Sequence, residues 1–307
     1  MANELRTSAF HAGEAACQAE VGAADHLARV GSQVIRGFMP EQHRDFFTLL
    51  PFVVVGSVDE QGRPTASLLA APEGFAFSPD PKSLRVDALP AQGDPLEQNL
   101  AAGASLGLLG IQAHTRRRNR VNGRVTALDA VGFDLAVEQS FGNCPKYITR
   151  REAVYVGAED RPAECSAGLD ARGRALIASS DTFYLASAHP DARESHARSE
   201  GVDVSHRGGP QGFAHFTGDQ TFVIPDFRGN DFFNTLGNLR LHPRAGLLFV
   251  DVVSGDVLSL ECEAVATRGS HPLEGTAGTG RVVRFEIERV RFWERGSPLR
   301  FRETPDE

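Results

Sequence analysis

The chain has 307 residues, 41% of them apolar and 23% charged, with a formal net charge of −8 at pH 7. That length accommodates one large domain or two of ordinary size, and the acidic balance argues against a general nucleic-acid binder. No run of about 18 apolar residues occurs, so no membrane helix is expected, and four scattered cysteines without a C-x-x-C pair (Cys17, Cys144, Cys165 and Cys262) point away from a structural metal site.

The N-terminal "MANELRTSAFHAGEAAC" carries acids and no apolar core, so it does not read as a signal peptide. Reduced thiols and a cytoplasmic location are the expectation. Glu14 to Ile35 reads as one helix, weakened by Gly22 and ended near Gly37. "PEQHRDFFTLL" has Pro40 at a helix start and Pro51 at its stop. From Pro51 the chain turns to short strands and tight turns, using many of its 31 glycines and 17 prolines. "PFVVVGSVDEQGRPTAS" is a hairpin about Asp59–Gly62. "SLRVDALPAQGDPLEQNL" is a strand, a Gly-polar break and a short helix. "SLGLLGIQAHTRRRNRVNGRVTAL" is a long hairpin, and "GFDLAVEQS" is a closing strand.

The basic run from His114 to Arg120 lies on that hairpin. Alternating basic side chains there read as a solvated face. The alternative is contact with an anionic substrate or the tail of a nicotinamide cofactor. No G-x-G-x-x-G follows a strand, so no Rossmann domain is expected.

Residues 157–174 are polar and rich in Gly and Ala, and read as a link. The order of elements then repeats: "DTFYLASAHPDARESHA", "TFVIPDFRGNDFFNTLGNL", "AGLLFVDVVSGDVLSLECEAVAT" and the alternating strand "RVVRFEIERVRFW". Identity between the halves is low, so the repeat is one of architecture. The expected organisation is an N-terminal helical segment (1–40), a first barrel (41–156), the link (157–174) and a second barrel (175–307).

The stretch Ile224 to Asp251 is the densest in chemistry. It runs from a strand through Arg228-Gly229-Asn230 into a helix bearing Asn230, Asn234, Thr235 and Asn238. A helix start offers unpaired N–H groups and the positive end of a dipole, which suits a phosphate. Arg207 or Arg228 would add a charged donor. The plain alternative is a polar helix cap with its amides in solvent.

The order strand, polar break, helix, "NLRLHP", "AGLLF" is similar to that of the pyridoxamine 5′-phosphate oxidase-like FMN-binding split barrels. "DVSHRGGPQGF", "SFGNCPKYITRR" and "FHAGEAACQ" add to the resemblance, which spans most of the chain. It implies a mainly β fold with flanking helices, an α+β chain of two tandem six-stranded antiparallel split barrels. It implies FMN in a groove between them, with Arg207, His206, Arg228, Asn230, Asn234, Thr235 and Asn238 near the phosphate. Lys146 and Tyr147 would reach the ring from the first half.

Two departures weaken the match to pyridoxamine phosphate as substrate. The adjacent Arg-Lys of those oxidases is replaced by Asn234-Thr235. Their Arg-x-His pattern is absent from "FWERGSPLRFRE", which offers Trp293, Arg300 and Arg302. The first-half helix carries Asp94 and Glu97, which repel phosphate, so one flavin per chain is expected. The expected activity is an FMN-dependent oxidoreductase acting on a small-molecule substrate or an electron donor such as NAD(P)H, in a homodimer, with no metal and no assigned catalytic side chain. A flavin carrier without turnover, or a haem-binding barrel using His206, His215 or His242, are the alternatives.

Overall fold

The computed structural model describes residues 8–157, 161–229, 231–273 and 278–304. Of the residues singled out from the sequence, Asn230 lies outside this set.

Three helices lead the chain: α1 (Ala12–Glu20), α2 (Ala24–Val34) and α3 (Glu41–Thr48). The single helix expected from Glu14 to Ile35 is therefore two. The chain turns at Gly22, whose φ of 70° closes α1 in the left-handed manner that glycine permits. Pro40 stands at the N-cap of α3, as its fixed φ favours.

The first sheet contains β1 (Phe52–Val58), β2 (Pro64–Ala70), β3 (Ala76–Phe77), β4 (Ser83–Val86), β5 (Ser105–Gln112), β6 (Arg117–Leu128) and β7 (Phe133–Gly142), with α4 (Leu96–Asn99) between β4 and β5. β8 (Arg151–Tyr155), β9 (Glu164–Ser166) and α5 (Ala171–Ser179) lead into the second. That sheet contains β10 (Thr182–Ala188), β11 (Val202–Gly208), β12 (His215–Phe216), β13 (Thr221–Phe227), β14 (Arg244–Val250), β15 (Val257–Arg268) and β16 (Gly278–Trp293), with α6 (Asn234–Leu241) between β13 and β14. β17 (Leu299–Glu303) ends the described strands and pairs with β8.

The strand orders match. The first sheet runs β2-β1-β5-β6-β7-β4-β3 and the second β11-β10-β14-β15-β16-β13-β12. Each is a six-stranded antiparallel path extended by one two-residue strand, and β9 adds to β16. Burial explains the strand sequences. β1 (FVVVGSV) is buried throughout, as its Val-rich run requires, whereas β7 alternates buried and half-buried residues from Phe133 to Gln139.

Each sheet encloses a core of its own. Phe183, Phe222, Phe249 and Phe285 fill the second, and Phe46, Phe47 and Phe133 the first. A third cluster joins them, with Phe52, Val54 and Leu109 from one half against Tyr184, Val204 and Leu248 from the other. Glycines at matching positions let the halves close. A Cβ on Gly107 would lie 2.5 Å from the Val202 carbonyl oxygen, and one on Gly246 would lie 2.6 Å from that of Pro64.

Candidate functional site

A cleft of about 980 Å³, partly open to solvent, lies where β5 and β6 of the first half face β11, β13 and the start of α6. Its size suits a small-molecule ligand.

The floor is a buried polar network built on Arg120. Its Nη1 donates to Asp203 Oδ1 at 2.9 Å and to Asn234 Oδ1 at 3.1 Å, and its Nη2 donates to Ser205 Oγ at 2.8 Å. Ser205 Oγ pairs with Thr235 Oγ1 at 3.0 Å. Asn122 adds a second donor to Asp203 Oδ1 at 2.8 Å. Arg120 and Asp203 are both buried, so each needs the other. The Nε of Arg120 has no hydrogen-bond partner.

The helix α6 begins without a cap. Its N-cap residue, Phe233, sits in the left-handed region at φ 61°, and no side chain bonds to the first N–H groups. Asn234 and Thr235 stand there beside Arg120, leaving a helix dipole end with neutral donors facing the cleft.

The opposite wall holds more positive charge. Arg118 donates to the Cys144 carbonyl at 2.7 Å and meets His206 Nδ1 at 3.1 Å. Burial, reinforced by Arg120, pulls its guanidinium down to about 10. Burial also lowers Arg207, whose Nε is unpartnered. Burial first, then Arg118 and Arg207, hold His206 well below the usual imidazole range, so its ring is neutral at neutral pH. Asp226 does not cancel this charge freely, because Arg281 engages it at 3.0 Å.

The first half also sends a segment across the cleft. Tyr147, at φ 62°, stacks on Phe227 with ring centroids 4.8 Å apart, and its hydroxyl donates to the Arg228 carbonyl at 3.4 Å. Its own carbonyl lies over Gly208, where a Cβ would come within 2.0 Å. Only glycine permits that crossing.

Arg207, His206, Arg228, Asn234, Thr235, Lys146 and Tyr147 all line the cleft. Asn238 does not. It sits one turn deeper in α6, buried, donating to Ser187 Oγ at 3.1 Å and to Asp203 Oδ2 at 3.5 Å. Gly229 also lines the cleft, with open space around it.

Sequence reasoning missed Arg118 and Arg120, read as part of a solvated hairpin face. Their period-2 spacing with Asn122 was the available signal, because it puts all three on one side of β6. Glu14 was missed as well. Packing of α1 across α6 brings its Oε1 to accept from Asn234 Nδ2, while its Oε2 accepts the His11 N–H at 2.8 Å. Burial, then Asp203, raises the Glu14 carboxyl to about 8, so it is neutral at neutral pH. Burial, then His189, lowers His11 to about 4.

The family model described as pyridoxamine 5′-phosphate oxidase matches residues 39–164. Among solved structures, the HupZ protein of Group A Streptococcus is similar at 14% identity and a TM-score of 0.31, over 42% of this chain and 97% of that one. A putative pyridoxamine 5′-phosphate oxidase from Lactobacillus delbrueckii aligns at 18% identity and a TM-score of 0.30, over 41% and 94%. An FAD-binding protein from Mesorhizobium loti aligns at 11% identity and a TM-score of 0.27, over 43% and 99%. No curated protein matches the chain. Among the described residues, no helix is long and apolar enough to cross a membrane.

Proposed function

Residues 39–164 match the pyridoxamine 5′-phosphate oxidase family model, and from that premise we propose that the cleft binds FMN and that the protein is an FMN-dependent oxidoreductase. The observation that carries this reading is the convergence of the uncapped α6 start with Arg120 and Arg207, each with an unpartnered Nε. An anion supplies what those groups lack. Asn234, Thr235, Arg207 and Arg120 would hold the phosphate. Lys146, which is exposed, and Tyr147 would lie toward the ring from the first half. Arg118, held by the Cys144 carbonyl and His206, fixes a positive charge in the wall, the kind that favours a reduced, anionic ring.

When bound, the flavin supplies electron or hydride transfer. The chain's part is to position it, to keep the phosphate end dry and to tune the ring by charge. The substrate is a small molecule, and the electron donor is of the reduced-nicotinamide class. Departure from the oxidases at Asn234-Thr235 argues for a substrate other than pyridoxamine phosphate.

The visible spectrum of the purified protein and the mass of its released chromophore test the reading. FMN at one per chain is expected. FAD, haem, or no chromophore after reconstitution overturns it. Turnover with NADH or NADPH separates an oxidoreductase from a flavin carrier.

A further inference from the structure

A second cavity lies behind the first, with His206 in the wall they share. It spans about 1010 Å³ between the two halves and is partly open to solvent. Its walls come in matched pairs. Ile111 and Val250 occupy equivalent places in β5 and β14, as Phe52 and Thr182 do in β1 and β10, given the shared registers at Gly107 and Gly246. The cavity therefore straddles the line that relates the halves. Ala153 of β8 and Phe301 of β17, partners in one short ribbon, border it as well.

Its chemistry differs from that of the cleft. Phe52, Ile111, Ile148, Tyr184, Val250 and Phe301 make the surface largely apolar. The charges at its rim are already engaged. Arg151 and Asp181 form a two-pronged pair at 2.9 and 2.6 Å, and Asp251 Oδ1 accepts the Val253 and Ser254 N–H groups. A charged ligand would gain little here and would lose its hydration. Tyr184 is 7% exposed and lines the cavity. Its hydroxyl is a donor that a ligand carbonyl could accept from. On its other side, the Tyr184 ring meets the His206 ring edge-on, with centroids 6.0 Å apart, and His206 in turn meets Arg118 in the cleft.

We propose that this cavity is a second ligand site, for an uncharged, mainly apolar small molecule bearing a hydrogen-bond acceptor, set apart from the cleft by His206. The proposal does not rest on flavin occupying the cleft.

Nile red, an uncharged apolar dye with a carbonyl, is the probe. Its emission should rise and shift to the blue on the full chain, saturating at one dye per chain. Saturating FMN should leave that titration unchanged. Ala153→Trp and Val250→Trp fill the cavity from opposite walls, and each should weaken dye binding at least tenfold while FMN binding stays as in the parent. Tyr184→Phe should weaken it about three- to tenfold, the equivalent of one neutral hydrogen bond. Dye binding unchanged in both filled variants overturns the proposal, as does displacement of the dye by FMN. A chain that binds the dye in this pattern and binds no flavin leaves the second site standing and removes the function proposed for the first.

Discussion

The two helices that occupy the same place in the two sheets, α4 and α6, start in opposite ways. In α4 the chain satisfies itself. Asp94 Oδ1 accepts the Leu96 N–H at 2.8 Å and the Ser67 hydroxyl at 2.5 Å, and Glu97 Oε2 takes the Gly93 N–H at 2.6 Å. Burial raises Asp94 to about 6, and the helix is four residues long. In α6 no side chain caps the start, and of the carboxylates nearby Asp203 is engaged by Arg120 and Asp226 by Arg281.

The facing strands follow suit. Where β6 presents Arg118, Arg120 and Asn122, the equivalent places in β15 hold Val257, Ser259 and Glu261. Glu261 is tied to Arg289 and Arg291, and Val257 lines a cavity with Leu68, Trp293 and Asp94. One strand order thus supports two grooves of opposite character. A topology sets where a groove lies, and a few side chains decide whether an anion can enter it.

Arg120→Ala should break the contrast most severely. It leaves Asp203 buried without its cation, which costs about 3–5 kcal/mol of stability. Chemical denaturation reads that loss, and a variant as stable as the parent would remove Arg120 from the foundation of the site. Thr235→Asp gives the α6 start the character of α4. A carboxylate about 4 Å from a phosphate charge repels it by about 4 kcal/mol at an effective dielectric near 20. FMN titration should show binding all but lost, with the fold intact by circular dichroism. Milder truncations grade the same site. Arg207→Ala should weaken FMN by about 1.5–3 kcal/mol and Asn234→Ala by about 0.5–1.5 kcal/mol. Equal affinity of Arg207→Ala and the parent would take Arg207 out of the phosphate's reach.

The remaining effect is a slope with pH. Glu14 is raised in the folded chain from 4.5 to about 8, so the native state binds the extra proton between those values. Its contribution to stability is full below about 4.5 and falls as pH rises through 8. His11 is lowered from 6.5 to about 4, so its contribution is full above 6.5 and is lost as pH falls through 4. Between pH 6.5 and 8 only Glu14 acts of the two. Glu14→Gln should flatten the decline of stability in that window, measured by denaturation at each pH. A variant with the parent's slope there would show that Glu14 is already ionised at neutral pH.

Much of this was legible in the sequence because it is local. The Val-rich run of β1, the hairpin glycines, Pro40 at the start of α3 and the alternation in β16 each report a backbone state through near neighbours. The repeated order of elements indicated two similar sheets. The acids of α4 against the amides of α6 indicated which helix start is engaged by side chains of its own, since a cap lies within a few residues of what it caps.

The rest was decided by packing across long separations. Arg120 lies 83 residues from Asp203 and 114 from Asn234, and its alternation on β6 is the same whether that face meets water or the other half. Glu14 reaches Asn234 across 220 residues, a contact that exists only because α1 lies over α6. Asn238, one helical turn below the cleft, looks in sequence like its neighbour Asn234, and only the docking of α6 onto β10 and β11 turns it toward Ser187 and Asp203. A strand's period tells which side chains share a face, but which partner covers that face is set by how the two halves close at Gly107 and Gly246.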